Sequence, residues 1–76
     1  MPTFHVTIVN AEFRVRNEVD AASAAEAQKL GLRGSLAIGW EEVGKGKPFF
    51  GAELSVEEDD RVVQRFMVSV GASPLQ

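Results

Sequence analysis

Gly39, Gly44 and Lys45 have almost the spacing of a phosphate-binding loop, in which a lysine and a hydroxyl residue follow the second glycine. In that loop, a strand leads into a glycine-rich turn whose amides meet the phosphates at the start of a helix. Here Gly46 occupies the hydroxyl position, and a helical pattern precedes the glycines. The order therefore predicts the end of a helix, where the partial negative charge disfavours phosphate.

Two other groups of residues could carry chemistry. His5 is the only histidine, and a hydrolytic site would need it beside a nucleophile, but no serine lies in a G-x-S-x-G motif. Residues 57–60 are consecutive carboxylates, whereas a calcium loop alternates its ligands and has glycine at its turn. We interpret His5 as a surface residue and 57–60 as a solvated turn. We expect no enzyme activity, no metal site and no cofactor.

Composition places further bounds on the protein. The chain has 76 residues, no cysteine and a formal net charge of -3, with 45% hydrophobic and 25% charged residues. This length predicts one small domain with a thin stability margin, and disulfides cannot brace it. The negative charge makes nucleic acid an unlikely partner for the whole molecule. No apolar run has the length of a membrane span, and no signal peptide is evident, so we expect a cytoplasmic protein without membrane contact.

The apolar residues change their period along the chain. Residues 3–9 and 13–19 alternate as strands do, and the short turn between them predicts a hairpin. Ser23 and Glu26 form a capping box before an alanine-rich run, which predicts a helix from Ser23 to about Val43. A rival interpretation ends the helix at Leu30 and makes residues 35–43 a strand. Residues 49–56 and 61–70 then predict a second hairpin.

The predicted element order is β-β-α-β-β. It indicates an α+β fold, in which a four-stranded antiparallel or mixed sheet carries one long helix on one face. We expect a single domain over residues 1–70 and a flexible C-terminal tail over 71–76. The strand order within the sheet is left open.

Several segments resemble a group of short, uncharacterised bacterial proteins. They are FHV near the start, SAAEAQ at the opening of the helix, GKPFFGAELSVEEDD and the closing RVVQRFMVSV. Members of the group have an aromatic-rich first strand, an alanine-rich helix and a final hairpin with an acidic turn. The resemblance implies the β-β-α-β-β fold and a bacterial origin, and it brings no activity, substrate or cofactor.

The predicted helix has more apolar surface than one sheet can cover. Two stripes lie on roughly opposite sides, namely Ala27, Leu30, Gly34 and Ile38, and Leu32, Leu36, Trp40 and Val43. A helix on its own sheet needs only one stripe, and an exposed apolar patch usually marks an interaction site. We therefore expect self-association as a homodimer through Leu32, Leu36, Trp40 and Val43, with an unknown protein partner as another possibility. Burial of the second stripe by loops would remove that need.

The uncovered sheet face suggests an alternative function. The side chains that alternation places there include His5, Arg14, Arg16, Phe49 and Arg65. Arginines beside an aromatic ring can bind single-stranded nucleic acid, so this face could belong to a nucleic-acid-binding accessory protein. Glu18 and Glu53 share the face, however, and the chain has no RNA-recognition signature.

Overall fold

The computed structural model describes residues 2–75 and has five elements in the predicted order. Strands β1 (Phe4–Val9) and β2 (Arg14–Val19) precede helix α1 (Ala24–Gly44), and strands β3 (Phe49–Glu58) and β4 (Arg61–Gly71) follow it. Neighbouring strands are antiparallel in the order β2-β1-β3-β4. The prediction of a small α+β domain, with one helix packed on a four-stranded antiparallel sheet, is confirmed.

Helix α1 begins at the predicted cap and is continuous. The Ser23 hydroxyl accepts a hydrogen bond from the Glu26 amide at 3.2 Å, and the Glu26 carboxylate accepts one from the Ala22 amide at 3.1 Å. These bonds satisfy amides that have no partner inside the helix. The helix passes through Gly31 without a break, so the rival interpretation with a strand over residues 35–43 is wrong.

The end of α1 settles the question raised by the near-match to a phosphate loop. Gly44 is the last helical residue, and the Lys45 amide donates to carbonyls of the final turn. The glycine with a positive φ is Gly46, at 112°, two residues after the last residue of the helix. The glycines therefore terminate a helix, as predicted, and no helix begins there to receive a phosphate.

The core lies between α1 and one face of the sheet. The strands contribute large apolar side chains to it: Phe4, Val6, Ile8, Phe50, Leu54, Val56 and Val68. The helix contributes small residues that recur at every fourth position: Ala27, Gly31, Ser35 and Gly39. We predicted instead that Ala27, Leu30, Gly34 and Ile38 would form a stripe. Leu30 is 38% exposed, because it lies about 100° around the helix from Gly31, in the row of small residues that faces the sheet.

The second hairpin turns more sharply than we predicted. Only Asp59 and Asp60 form the turn, with φ of 49° and 66°, whereas Glu57 and Glu58 belong to β3. Two left-handed residues match the twist of the strands in a two-residue hairpin. At the other end of the pair, β4 extends one residue beyond the predicted domain boundary at 70, and the Ala72 amide donates to the Pro48 carbonyl at 3.0 Å. The predicted domain and tail also include residues 1 and 76, which lie outside the described part of the chain.

Candidate functional site

The course of α1 over the sheet determines which of its residues face outward. A Cβ atom added at Gly31 would lie 2.9 Å from Leu54 Cδ1 on β3. One added at Gly39 would lie 2.7 Å from Val70 Cγ2 on β4 and 2.8 Å from Phe50 Cδ2 on β3. The helix thus runs antiparallel to β3 and parallel to β4, and its C-terminal half lies close to the edge strand β4.

The four residues predicted for self-association lie along the side of α1 that is directed towards this edge. We call Leu32, Leu36, Trp40 and Val43 the α1 flank. Trp40 is 79% exposed and Leu36 is 48% exposed, whereas Leu32 and Val43 are half-buried and pack against the core. The structure therefore divides the predicted set into two side chains available to a partner and two that support the fold.

Gly39 cannot bring the helices of two copies close together. A glycine beside Trp40 would allow two helices to approach closely across an interface, but Gly39 is buried against the sheet of its own chain. Its missing side chain accommodates Val70 and Phe50 instead. Any contact between helices of two copies must therefore use the side chains of the α1 flank rather than bare backbone.

The α1 flank continues onto the edge strand. Trp40 and Val43 line a mostly apolar groove together with Val70, Gly71 and Ala72, at the end of β4. Phe66 and Val70 are only half-buried on the same face of the sheet. Apolar surface is therefore continuous from the outward side chains of the helix to the free edge of the sheet.

The two edges of the sheet differ in charge. The outer strand β2 carries Arg14, Arg16 and Glu18, and charged side chains are a common protection against pairing with another chain. Strand β4 carries Arg61 and Arg65, but it has no charged residue between Phe66 and Gly71. The prediction of self-association from the sequence used only the helix and not the uncharged run FMVSVG. An uncharged segment on an edge strand can act as a template for strand pairing.

On the uncovered face of the sheet, an ion-pair network joins β2, β1 and β3. Arg16 Nη2 lies 3.1 Å from Glu57 Oε2 and 3.5 Å from Asp60 Oδ1, and Thr7 donates a hydrogen bond to Glu57 at 3.3 Å. The hydrogen bond from Arg16 lowers the pKa of the Glu57 carboxyl, against the opposing effect of burial. The same bond raises the pKa of Arg16. Arg16, a residue of the candidate nucleic-acid surface, is thus held in an ion pair with the neighbouring Glu57.

Of the two remaining arginines of that candidate surface, one is matched by a carboxylate. Arg65 forms an ion pair with Glu53 on the adjacent strand, whereas Arg14 forms none with any residue among 2–75. Phe49 is 62% exposed on the same face, as alternation predicts. A surface that follows phosphates needs an excess of positive charge. The pairing of Arg65 and Arg16 leaves this face without one, so the geometry gives the nucleic-acid alternative little support.

His5 lies between two carboxylates on the uncovered face. It is opposite Glu18 on β2 and Glu57 on β3, and its Nδ1 is buried without a hydrogen-bond partner among the described residues. Within residues 2–75, no serine or threonine hydroxyl is hydrogen-bonded to it. The sequence-based interpretation of His5 as a surface residue without a catalytic role stays a prediction.

Within residues 2–75, no three side chains of the kinds that bind metal ions are grouped closely enough to hold one. In the same part of the chain, no helix combines the length and the apolar character that crossing a membrane requires.

Comparison of the chain with protein-family models, with curated proteins and with solved structures found no match. The resemblance to short bacterial proteins therefore stays a prediction. The features of the molecule that could bind a partner are the α1 flank and the edges of the sheet. These features describe a small α+β domain with one protected and one unprotected sheet edge.

Proposed function

We propose that the protein is a non-enzymatic interaction module that self-associates as a homodimer through the α1 flank. The observation that carries the proposal is the exposure of Trp40 and Leu36 on the side of the helix that is directed towards the uncharged segment 66–71 of the edge strand β4. Tryptophan is enriched among the residues that dominate binding energy, and an exposed apolar patch often marks an interaction site. A cytoplasmic location and a bacterial origin belong to the same proposal and rest on the sequence.

The energetics show what the flank can supply. Burial of a large apolar side chain contributes roughly 1.5–3 kcal/mol, whereas association costs at least about 4 kcal/mol in lost freedom. Leu32 and Val43 already contact their own core, so mainly Trp40 and Leu36 of each copy add to the gain. The gain is of the same order as the cost. The flank alone supports a weak dimer, and a stable one needs additional contacts.

The first prediction concerns these two side chains. In the double variant Leu36→Gln/Trp40→Gln, we expect a monomer by sedimentation velocity at concentrations where the wild type is a dimer. Glutamine has a high helix propensity, so the helical circular dichroism signal should be unchanged. Trp40→Gln alone should weaken the dimer by at least about 2 kcal/mol, the usual threshold for a dominant interface residue, which is about thirtyfold in Kd.

Leu30→Gln is the matched control. Leu30 is also a partly exposed leucine of α1, but it lies about 120° around the helix from Leu36, so its replacement should leave the dimer intact. A wild type that sediments as a monomer at about 1 mM, where even weak dimers with Kd near that value form, would reject the proposal. A double variant that remains dimeric would reject the α1 flank as the interface.

A further inference from the structure

We infer that self-association joins the β4 edges of two copies into one continuous eight-stranded antiparallel sheet, with the two-fold axis passing beside Leu36 and Val68. This inference rests on the proposed homodimer and adds the occupant of the free edge, which is the β4 strand of a second copy. Both helices then lie on the same face of the joined sheet.

Residues of the helix and of β4 lie beside each other along the strand direction in an order that agrees with such an axis. Gly31 lies over Leu54, whose partner on β4 is Phe66, and Gly39 lies over Val70. The helix rises about 12 Å between these glycines, and β4 advances about 13 Å between Phe66 and Val70. Helix and edge strand therefore keep in step over this segment.

Leu36 is consequently level with Val68. A two-fold axis at that level, perpendicular to the sheet, places each Leu36 against the partner's Leu36 and pairs Val68 with the partner's Val68. Because the two helices become antiparallel, Trp40 of each copy meets the partner's Leu32. The α1 flank is thus complementary to itself about the same axis that pairs the uncharged part of β4, and a two-fold axis requires self-complementarity of this kind.

The spacing of the strands explains the need for a large side chain on the α1 flank. In the joined sheet, three strand spacings separate β3 from the partner's β3, which is about 14 Å. Helices in direct contact lie 8–10 Å apart, so helices centred over the two β3 strands would leave a gap. Trp40 extends from the helix towards β4 and is 79% exposed, so it is placed and sized to fill that gap.

The opposite edge, β2, is less suited to pairing in this way. Strand β2 carries the charged residues Arg14, Arg16 and Glu18. Charged side chains on an edge strand disfavour its pairing with a second copy. Between Phe66 and Gly71, strand β4 offers an uncharged ladder with an apolar helix beside it. The structure therefore selects β4 rather than β2 for the second copy.

Disulfide trapping tests the pairing, since the chain has no cysteine of its own. The inferred register places Met67 opposite the partner's Ser69, both on the uncovered face where substitution leaves the core intact. Directly opposite residues have Cα atoms 4.5–5.5 Å apart, which suits a disulfide, whereas diagonal neighbours are 7–8 Å apart. Mixed Met67→Cys and Ser69→Cys chains should give the disulfide-linked heterodimer at least about tenfold faster than either chain alone gives a homodimer.

A mixture of Arg14→Cys and Glu18→Cys is the matched control for the β2 edge and should not be linked. Hydrogen exchange supplies a second measurement on the unmodified protein: amides of residues 65–71 that are not bonded to β3 should become protected as the concentration rises. A sedimenting dimer with neither cross-link nor protection would overturn strand pairing while the proposed function stands. Faster linkage of either chain with itself would overturn the register, and a monomeric wild type would overturn both proposals.

Discussion

At the scale of single residues, the Glu57 carboxylate holds the uncovered face together and predicts how stability depends on pH. Arg16 lowers the pKa of Glu57 in the folded state, so the ionised Glu57 carboxylate stabilises the fold. The stabilisation is complete above the unfolded pKa of about 4.3, and it is lost as the pH falls through the lower folded value. We expect Glu57→Gln to reduce the free energy of unfolding at pH 7. The difference from the wild type should vanish in acid, as urea unfolding at several pH values would show.

Glu18→Gln is the control for that measurement. Glu18 lies on the same face but forms no ion pair within residues 2–75. Its replacement should change the unfolding free energy little at any pH. A difference between wild type and Glu57→Gln that stayed constant down to pH 3 would contradict the assignment, because a permanent loss of packing would not depend on protonation.

At the scale of the helix, two glycines should respond to alanine in opposite directions. A Cβ at Gly39 would lie 2.7 Å from Val70 Cγ2 and 2.8 Å from the Phe50 ring, so Gly39→Ala should destabilise the fold by about 1–3 kcal/mol through overpacking. At Gly34, the nearest atom is Ile8 Cδ1 at 3.9 Å, an ordinary contact. Gly34→Ala should therefore gain up to about 1 kcal/mol of helix propensity.

Thermal or chemical unfolding of the two single variants would test this prediction. The pair controls for helix propensity, because both exchanges are glycine to alanine inside α1 and differ only in the distance to the sheet. Equal stabilisation by both variants would mean that the helix does not approach β4 as closely as the structure shows. The placement of Leu36 beside Val68 would then be wrong.

At the scale of the whole molecule, the proposed dimer predicts that stability depends on concentration. A domain of this size buries roughly 60% of the surface that its unfolded chain exposes, and it has no cysteine with which to form a disulfide. Association with a second copy should therefore supply part of its stability. We expect the Tm of the wild type to rise with protein concentration, and that of Leu36→Gln/Trp40→Gln to be lower and constant. A wild-type Tm that does not change across a hundredfold range of concentration would contradict this.

The sequence by itself determined the elements, because the forces that form them act locally. Alternation from Phe4 to Ile8 specified a strand, and the Ser23–Glu26 box specified where the helix begins. Each of these patterns depends on residues that are only a few positions apart in the sequence. That Leu36 and Trp40 lie on one side of the helix also followed from helical spacing, although their exposure did not.

Only the tertiary structure decided which side of the helix meets the sheet. The buried row contains Gly31 and Gly39, which do not stand out in a pattern of large apolar residues. They face the sheet because the absence of a side chain lets the helix lie close to Leu54 and Val70. The partnership of Arg16 with Glu57 was equally hidden, since 41 residues separate them along the chain. Strand order and register bring such residues together. They also place the uncharged segment 66–71 of β4 at an edge of the sheet, and which strand lies at an edge depends on its neighbours in space.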